Sequence, residues 1–473
     1  MSVLWLVVLF ARISLAALTA TEIIAKAKSD LIPKLSQAGI ISFQDPLRWS
    51  EYHAPDPAVV VNVKSEADVQ LTVLFCNTFG IPFLAQNGGN GWATTFTLHN
   101  DGVLINLAGL NKVTFNADKT QATIGGGASI NATIQAANKA GALVETGNCN
   151  CVGVLGAYLG GGYGNLIGLY GLGVDQIISA RLVTADGKLR TVSASDADLF
   201  WAIRGAGPNF GIVTSAVVKS YPATAAQRSA WTGALIFTPD KLEQVVQAIQ
   251  DLNLKPEMSI FMYFTSSGPP TNAPVVLTTP YLYKGDAASG QAAFASLYAI
   301  GPIADTTSVL LYDQWNTGGD QFCTHSGRKP SFSAGIQTMI PSVWRQIWNE
   351  YTAFQAKPGA QNSIVLLEAY SLGKVRSLPS SSTAFPHRDV NFNAVAIPWY
   401  SDASYDQAAV IFGQKARSLW RASDGLGDNS TYINFANGDE DLSHVYGESL
   451  ARLRTIKKQI DPQNRFNQWF DIK

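Results

Sequence analysis

A glycine-rich stretch in the first half of the chain constrains its fold more than any other segment. It runs from Gly147 to Asp175, reads GNCNCVGVLGAYLGGGYGNLIGLYGLGVD, and has ten glycines in its first 27 residues. Each ordered glycine costs roughly 0.5–1 kcal/mol relative to alanine, so the run needs something to hold it. Flexible linkers are polar, whereas this stretch is rich in Val, Leu, Ile and Tyr. It predicts a buried loop whose bare backbone N–H groups reach a ligand; the alternative is a set of structural turns.

Two further segments share this character. Phe83 to Trp92 reads FLAQNGGNGW and follows a predicted strand, and Arg204 to Thr214 reads RGAGPNFGIVT after a short predicted helix. A mononucleotide needs one such loop. Three separated loops therefore favour a long ligand, such as an extended dinucleotide, that is held at several points.

Length and charge exclude some classes of protein. At 473 residues the chain is too long for one ordinary core, so we expect at least two domains. It carries 34 Lys and Arg against 35 Asp and Glu, a net charge of −1. A nucleic-acid partner requires a basic face, and we expect none.

The four cysteines do not match a zinc-binding pattern. Cys149 and Cys151 are separated by one residue and have no second closely spaced pair, since Cys76 and Cys323 are distant from them. We therefore expect no metal site. A local disulfide between Cys149 and Cys151 stays open, and Cys76 is expected to be an inert core residue.

The N-terminus resembles a secretory signal. Residues 1–16 read MSVLWLVVLFARISLA, and the apolar run Val3–Phe10 is far shorter than the ~20 residues that span a bilayer. Ser14 and Ala16 form a small-x-small cleavage site. Two glycosylation sequons, at Asn131 and Asn429, are typical of a secreted glycoprotein. We expect secretion and no membrane span; the alternative is a short buried helix.

The hydrophobic pattern divides the rest of the chain. Before Pro222, short strands alternate with the glycine loops, and a hairpin is predicted around Ala185–Gly187. After Pro222, strands alternate with long amphipathic helices, which indicates a second, α+β domain. The predicted helices are Ala20–Gly39, Glu66–Thr78, Asn131–Ala140, Asp196–Ile203, Asp240–Leu252, Ala287–Ala299, Val343–Phe354, Tyr405–Arg421 and Leu442–Ile460.

Several motifs, taken in order, resemble one family. They are the first glycine loop, Gly-x-Cys-x-x-Val-Gly, Leu-Gly-Gly-Gly-Tyr-Gly, the run from Asp198 to Gly205, Asn209 to Thr214, Phe385-Pro-His-Arg388, and a C-terminal pattern from Tyr446 to Phe466. The chain is similar to FAD-linked oxidoreductases with a p-cresol methylhydroxylase-type FAD domain, in the berberine bridge enzyme-like branch. A nicotinamide-binding Rossmann motif does not match, because Gly205–Gly211 has the wrong spacing and follows a helix.

The resemblance implies an α+β fold with four segments. We expect a signal peptide at 1–16, a two-part FAD-binding domain of the p-cresol methylhydroxylase and vanillyl alcohol oxidase type at 17–221, a substrate domain with an antiparallel sheet at 222–425, and a segment at 426–473 that returns to the FAD domain. The residues implied in FAD binding are Gln86, Asn87, Gly88, Gly89, Asn90, Gly91, Cys149, Val152, Gly153, Gly156, Gly160, Gly161, Gly164, Val213 and Asn434.

Departures from the family pattern concern flavin attachment and acid–base chemistry. Many relatives have a histidine, covalently bound to flavin, where this chain has Asn90. The second attachment point matches Cys149, so the resemblance implies one thioether or no covalent link. Counted without gaps from the Pro-His-Arg motif, Ala396 occupies the slot of the usual Gln or Glu base. Phe435 replaces a usual tyrosine.

An oxidase would need another proton acceptor, since general base catalysis contributes typically 10²–10⁴-fold. The candidates are Tyr446, Tyr370, Glu368 and His387, with Tyr446 preferred because the C-terminal segment is expected to fold over the cofactor.

The first functional hypothesis is a secreted FAD-dependent oxidase that acts on a small organic molecule and passes electrons to oxygen. Val152 favours oxygen access, because in relatives a valine near this position leaves room beside the flavin. The alternative is a redox-neutral flavoprotein, an isomerase, dehydratase or cyclase of natural-product biosynthesis. The absent histidine and the absent base favour that alternative. A binding protein without turnover is a third reading.

Overall fold

The computed structural model describes residues 17–36, 41–42, 44, 47–427 and 430–473. The expected signal peptide at 1–16 and the sequon residue Asn429 lie outside the described residues. No helix within the described ranges is long and apolar enough to cross a membrane.

The first part of the chain contains two principal sheets with helices around them. Its strands are β1 Ile41–Ser42, β2 Val59–Asn62, β3 Phe83–Gln86, β4 Val103–Asn106, β5 Val113–Phe115, β6 Gln121–Gly125, β7 Ala142–Leu143, β8 Ile177–Val183, β9 Leu189–Ser193, β10 Ile212–Lys219 and β11 Tyr221–Pro222. Its helices are α1 Ala20–Lys26, α2 Glu66–Phe79, α3 Ile130–Ala140, α4 Val154–Tyr158, α5 Ile167–Tyr170, α6 Gly173–Gln176 and α7 Ala197–Ala206.

The two sheets differ in the relative direction of their strands. In the four-stranded sheet, of order β1-β2-β4-β3, the last three strands are parallel. The five-stranded sheet, of order β5-β6-β10-β8-β9, is antiparallel throughout. Ser65 caps α2 between β2 and β3, and the left-handed Gly80 (φ +67°) ends it. This strand–helix–strand unit delivers the first glycine loop to the carboxyl end of β3.

The second part is built on one antiparallel sheet of nine strands. They are β12 Ser229–Thr232, β13 Leu235–Phe237, β14 Met258–Ser266, β15 Pro274–Tyr283, β16 Ala304–Asp305, β17 Ser308–Leu311, β18 Phe332–Ile336, β19 Ile364–Tyr370 and β20 Phe392–Ile397. The helices are α8 Leu242–Gln250, α9 Ala287–Ala293, α10 Ala295–Ile300, α11 Pro341–Gln355, α12 Gly373–Arg376 and α13 Asp406–Ser423. One sheet face forms a core with α8, α11 and α13.

The C-terminal segment forms α14 Leu442–Tyr446 and α15 Leu450–Ile460 and contacts the first part of the chain. The Asn434 amide donates to the Ala157 carbonyl at 2.8 Å. The buried Lys457 ammonium donates to the carbonyl of Asn209 (2.8 Å) and to Asp461 (2.8 Å). These bonds fasten the segment beside the glycine-rich stretch.

Three predicted helices differ from the observed ones. Leu442–Ile460 is interrupted at Gly447, whose φ of +48° no helix accommodates. Ala287–Ala299 is interrupted at Phe294. The first helix, predicted to reach Gly39, ends as α-helix at Lys26, and residues 37–40 are outside the described ranges.

Candidate active site

A cavity of about 390 Å³ lies where two glycine loops meet the free face of the nine-stranded sheet. In chain order, the first loop is Phe83–Trp92 and the second is the start of the Gly147–Asp175 stretch. This volume is within the range of small-molecule and cofactor sites. The C-terminal segment contributes Tyr432 to Ala436 to the wall. The predicted site residues that line the cavity are Gln86, Asn87, Gly88, Gly89, Asn90, Gly91, Cys149, Val152, Gly153, Gly156, Asn434 and Glu368.

The first glycine loop follows β3 and is fastened to its neighbours by two asparagines. The Asn87 amide donates to the Ala128 carbonyl at 3.2 Å, and the Asn90 amide donates to the Cys151 carbonyl at 3.1 Å. Gly89 has a φ of +68°, and a Cβ there would lie 2.8 Å from the Leu47 carbonyl oxygen. Glycine is therefore required at Gly89. Asn90 joins the first loop to the second.

The second loop carries two of the four cysteines of the chain. Cys151 forms a disulfide with Cys323, 172 residues away, so the local Cys149–Cys151 pair that the sequence left open does not form. Cys149 is a free thiol that lines the cavity, with its sulfur 3.5 Å from that of Cys151. Burial raises the pKa of the Cys149 thiol to about 11. The sulfurs of Cys149, Cys151 and Cys323 lie together, but two of them are joined as a disulfide and are not available as thiolate ligands.

The opposite wall of the cavity is one face of the nine-stranded sheet. Side chains alternate along a strand, so every second residue shares a face. The cavity-lining residues from β14, β19 and β20 are Phe261, Tyr263, Ile364, Leu366, Glu368 and Ile397. Register pairs Phe261 with Glu368 and Tyr263 with Leu366. The wall is apolar except at Glu368 and the phenol of Tyr263.

Glu368 is held by a short chain of hydrogen bonds. The Tyr370 hydroxyl donates to its carboxylate at 3.0 Å, and the Asn148 amide donates to the Tyr370 oxygen at 2.9 Å. Burial raises the pKa of Glu368 to about 7, against the smaller opposing effect of the Tyr370 hydrogen bond. A carboxyl group with such a pKa takes up and releases a proton near neutral pH, as a general base requires.

Family models and relatives agree on the affiliation of the chain. A model described as FAD binding domain matches residues 57–193, and one described as Berberine and berberine like matches residues 431–469. An FAD-linked oxidoreductase of Pyricularia oryzae is 34% identical over 432 residues, which cover 89% of this chain and 84% of that protein. The chain belongs to the berberine bridge enzyme-like FAD-linked oxidoreductases. A second such oxidoreductase, from Aspergillus fumigatus, is 31% identical over 463 residues, 92% of this chain and 97% of that protein.

Solved structures share the fold of this FAD-linked oxidoreductase. A BBE-like protein of Physcomitrella patens matches with a TM-score of 0.79 at 23% identity, over 96% of this chain and 99% of that one. A xylooligosaccharide oxidase from Myceliophthora thermophila, in complex with xylobiose, matches with a TM-score of 0.77 at 22% identity and the same coverage. The expected α+β fold of the p-cresol methylhydroxylase type is confirmed.

The cavity of this oxidoreductase suits FAD. A Cβ built on Gly156 meets nothing within 4 Å, so that glycine leaves open space beside the second loop. The buried Trp92 Nε1 and Arg48 Nε have no hydrogen-bond partner among the described residues, and both residues line the cavity. Unpaired buried donors imply a bound acceptor. The two glycine loops with Asn434 would hold FAD, which supplies a two-electron acceptor when bound.

Four predicted cofactor-binding residues do not line this cavity: Gly160, Gly161, Gly164 and Val213. A Cβ on Gly160 would meet Asn434, one on Gly161 would meet Phe385 and Tyr432, and one on Gly164 would meet the Thr146 carbonyl. These glycines allow close packing of protein against protein. Val213 is buried in the core around the five-stranded sheet.

Three of the four candidate bases, Tyr370, Tyr446 and His387, do not line the cavity. Tyr446 is buried and does not line the cavity; its hydroxyl accepts from Asn209 (3.1 Å) and donates to the Phe470 carbonyl (3.3 Å). Burial raises its pKa, which opposes a role as proton acceptor. His387 also lies outside the lining and contacts the Val445 carbonyl at 3.0 Å. The structure therefore places Tyr446 away from the cavity, because α14 turns its side chain into the core under the C-terminal residues.

Ala396 does not occupy the cavity-facing position at which the resemblance puts the family's Gln or Glu base. Ala396 faces the helices on the other side of the sheet, and Ile397 faces the cavity. A count of eight residues from the Pro-His-Arg motif is one residue short of the cavity-facing register. Phe435 lines the cavity as expected. Neither Ile397 nor Phe435 titrates, so Glu368 on the neighbouring strand is the acidic group of this wall.

Sequence reasoning missed several cavity residues that lie outside the motifs. Arg48 and Trp49 precede the region matched by the FAD model, and Phe322 comes from the 3₁₀ helix Thr317–Cys323. Trp92 and Tyr432 were inside recognised motifs but were not singled out. No sequence spacing connects Arg48 or Phe322 to the glycine loops, because these two residues approach the loops only in the tertiary fold.

Proposed function

We propose that this FAD-linked oxidoreductase is a secreted oxidase that removes a hydride from a small organic alcohol or a related C–H bond, with oxygen as electron acceptor. The observation that carries this proposal is Glu368, a carboxyl group with a pKa raised to about 7 on the apolar wall of the cavity. Oxidation of an alcohol to a carbonyl releases one proton from the hydroxyl. In this proposal Glu368 accepts that proton.

The neighbours of Glu368 determine its protonation state. The Tyr370 hydroxyl donates to the carboxylate and favours its charged, basic form, while Asn148 holds the tyrosine in place. Phe261, Tyr263 and Leu366 surround the carboxyl group with apolar surface and keep its proton affinity high. The pair Glu368 and Tyr370 therefore forms one unit, with Glu368 as the base and Tyr370 as a positioning residue.

Two features of the cavity support an oxidase with one covalent link. Val152 lines the cavity, and in relatives a valine near this position leaves room for oxygen beside the flavin. Cys149 is a free thiol on the same loop, whereas Asn90 has no group that forms such a bond. Neighbours with the same fold are named chitooligosaccharide oxidase and xylooligosaccharide oxidase. FAD is thus proposed to be attached through a thioether to Cys149.

Secretion is supported by three features. Residues 1–16 have the pattern of a signal peptide. Asn131 of the first sequon is exposed at the start of α3. The Cys151–Cys323 disulfide is typical of an oxidising compartment. Mass spectrometry of the protein from culture medium tests this part: an N-terminus at Ala17 and a glycan on Asn131 are expected, and a cytosolic protein that retains Met1 would refute it.

The oxidase activity is tested by following two signals on a panel of small alcohols. We expect bleaching of the flavin absorbance under anaerobic conditions, and stoichiometric peroxide when oxygen is admitted. Flavin reduction without peroxide would mean another electron acceptor. Conversion of a compound without any bleaching would establish the redox-neutral isomerase, dehydratase or cyclase, which the absence of a histidine at position 90 favours.

A further inference from the structure

Arg48 brings a cation to the first glycine loop from outside the family motifs. Its segment docks on the loop through a backbone bond from Trp49 N to the Gly89 carbonyl at 3.1 Å. The Arg48 Nη1 donates to the Gln86 side-chain oxygen at 2.6 Å, and Nη2 donates to the Gly91 carbonyl. The guanidinium therefore lies against both ends of the loop segment from Gln86 to Gly91, on the wall of the cavity.

The charge of Arg48 is not balanced within the described part of the chain. Both of its hydrogen-bond acceptors are neutral, its Nε is buried without a partner, and the described residues form no ion pair with it. Phe96 lies under the guanidinium, 5.2 Å from its carbon to the ring centroid. Burial lowers the pKa of Arg48 to about 10, with no contribution from a neighbouring charge. Buried charges in proteins are normally paired, so this site is incomplete without an anion.

The remaining N–H groups of Arg48 define what that anion must be. A guanidinium has five N–H donors in a rigid fork, and two of them have partners among the described residues. The free donors match the planar, multidentate recognition of phosphate or carboxylate groups. Glu368, the one acidic residue of the described cavity lining, is bound to Tyr370, and neither its pKa shift nor that of Arg48 includes the other. The anion must come from a ligand.

We propose that Arg48 binds the pyrophosphate of FAD and is its charge partner in this chain. The pyrophosphate is the anionic part of this cofactor, and the loop from Gln86 to Gly91 follows a parallel strand at the edge where such ligands bind. Gln86 positions the guanidinium through its side-chain oxygen, which accepts the Nη1 proton. Arg48 near one loop and Glu368 on the sheet wall give the cavity a cationic and an anionic site, which would orient the cofactor along it.

The test compares two flavins that share the isoalloxazine ring and the ribityl chain, of which only FAD carries a pyrophosphate, with its adenosine. Full-length protein carrying Cys149→Ala, so that flavin exchanges freely, is titrated with FAD and with riboflavin, and binding is followed by flavin fluorescence. Arg48→Met should raise the dissociation constant for FAD by about 10- to 100-fold, the loss expected for a charge-assisted pair. Riboflavin, which has no phosphate, should bind with unchanged affinity. Arg48→Lys should fall between the parent and Arg48→Met for FAD only.

A matched control is Arg345→Met, which removes an arginine paired with Glu243 away from the cavity and should alter neither titration. Equal losses for FAD and riboflavin in Arg48→Met would overturn the proposal and make Arg48 a residue that only shapes the loop. Unchanged FAD binding would also overturn it, and would assign the site to a carboxylate of the substrate. If Arg48→Met does not fold, Arg48→Lys decides, because it retains the charge. The experiment measures cofactor binding, so its result is the same whether or not oxygen is the electron acceptor of the enzyme.

Discussion

Glu368 is the residue on which the chemistry of the cavity depends. It is the acidic residue of a largely apolar wall, and burial raises its pKa to about 7. Glu368→Gln keeps the shape and removes the proton acceptor, so we expect the rate of anaerobic flavin reduction to fall by about 10²- to 10⁴-fold. Stopped-flow absorbance with a reducing substrate measures this rate.

The pH dependence of the rate of flavin reduction tests whether Glu368 acts in its charged form. Below pH 7 the Glu368 carboxyl is protonated and cannot accept a proton, and above pH 7 it is charged and can. The wild-type rate should therefore rise with pH through about 7, and Glu368→Gln should lose this rise. In Tyr370→Phe the carboxylate loses a hydrogen bond that stabilises its charged form, so the rise should move to higher pH. A wild-type profile that is flat between pH 6 and 8 would exclude Glu368 as the base.

Cys149 is the residue proposed to hold FAD covalently. After acid precipitation, we expect the yellow colour to stay with the wild-type pellet and to pass into the supernatant for Cys149→Ala. Asn90→Ala is the matched comparison on the first loop and should behave as wild type, because an amide forms no such bond. Colour retained in the Cys149→Ala pellet would place the link on another residue.

At the scale of single residues, the sequence carries a signal for placements that depend on periodicity and none for placements that depend on tertiary contact. Ile364, Leu366, Glu368 and Tyr370 alternate along one strand, so their common face could be inferred. The register of Ala396 could not, because a one-residue error in a count moves a side chain to the other face of the sheet. Arg48 gives no pattern, since its partners are 38 and 43 residues away.

Among the elements, the 3₁₀ helix Thr317–Cys323 closes the cavity from the second part of the chain. Cys323 joins it to the second glycine loop, Phe322 lines the cavity, and Trp49 donates to the Phe322 carbonyl. Phe322 also stacks on Tyr263, with centroids 5.6 Å apart. The disulfide therefore fixes the position of a wall beside Cys149. The pairing was not predictable, because a separation of 172 residues leaves no spacing signal.

Thiol titration tests this disulfide. In the Cys149→Ala variant, denatured without reductant, one thiol is expected from Cys76, and three after reduction of the Cys151–Cys323 bond. Replacement of both Cys151 and Cys323 by serine should lower the free energy of unfolding by about 2–4 kcal/mol, as is typical of disulfides that close long loops. Three reactive thiols before reduction would show that the bond does not form in the protein.

At the scale of the whole molecule, the cavity exists only where the two parts of the chain meet. The glycine loops supply one side, the free face of the nine-stranded sheet supplies the other, and the segment after Ser430 lies across both. The order of motifs predicted these parts because each motif belongs to one of them. The contacts that hold them together are side-chain pairs that bridge distant segments, and these could be located only in the fold.

The ion pair between Arg388 and Asp175 is such a contact. It joins the Pro-His-Arg motif to α6 of the glycine-rich stretch, at 2.7 Å, with side chains 2% and 5% exposed. Asp175→Asn is nearly isosteric but leaves the guanidinium buried without its partner charge. We expect the free energy of unfolding of the FAD-loaded protein to fall by about 3–5 kcal/mol. Urea unfolding followed by tryptophan fluorescence and by flavin release measures it.

The double variant Asp175→Asn/Arg388→Met separates charge from packing. It removes the cation as well, so no buried charge lacks a partner, and a large part of the lost stability should return. If the double variant is as unstable as Asp175→Asn, the loss comes from disrupted packing and hydrogen bonding around α6, where Asp175 also accepts from the Leu172 N–H at 3.0 Å. Recovery would show that a buried charge pair couples the loop before β20 to the glycine-rich stretch.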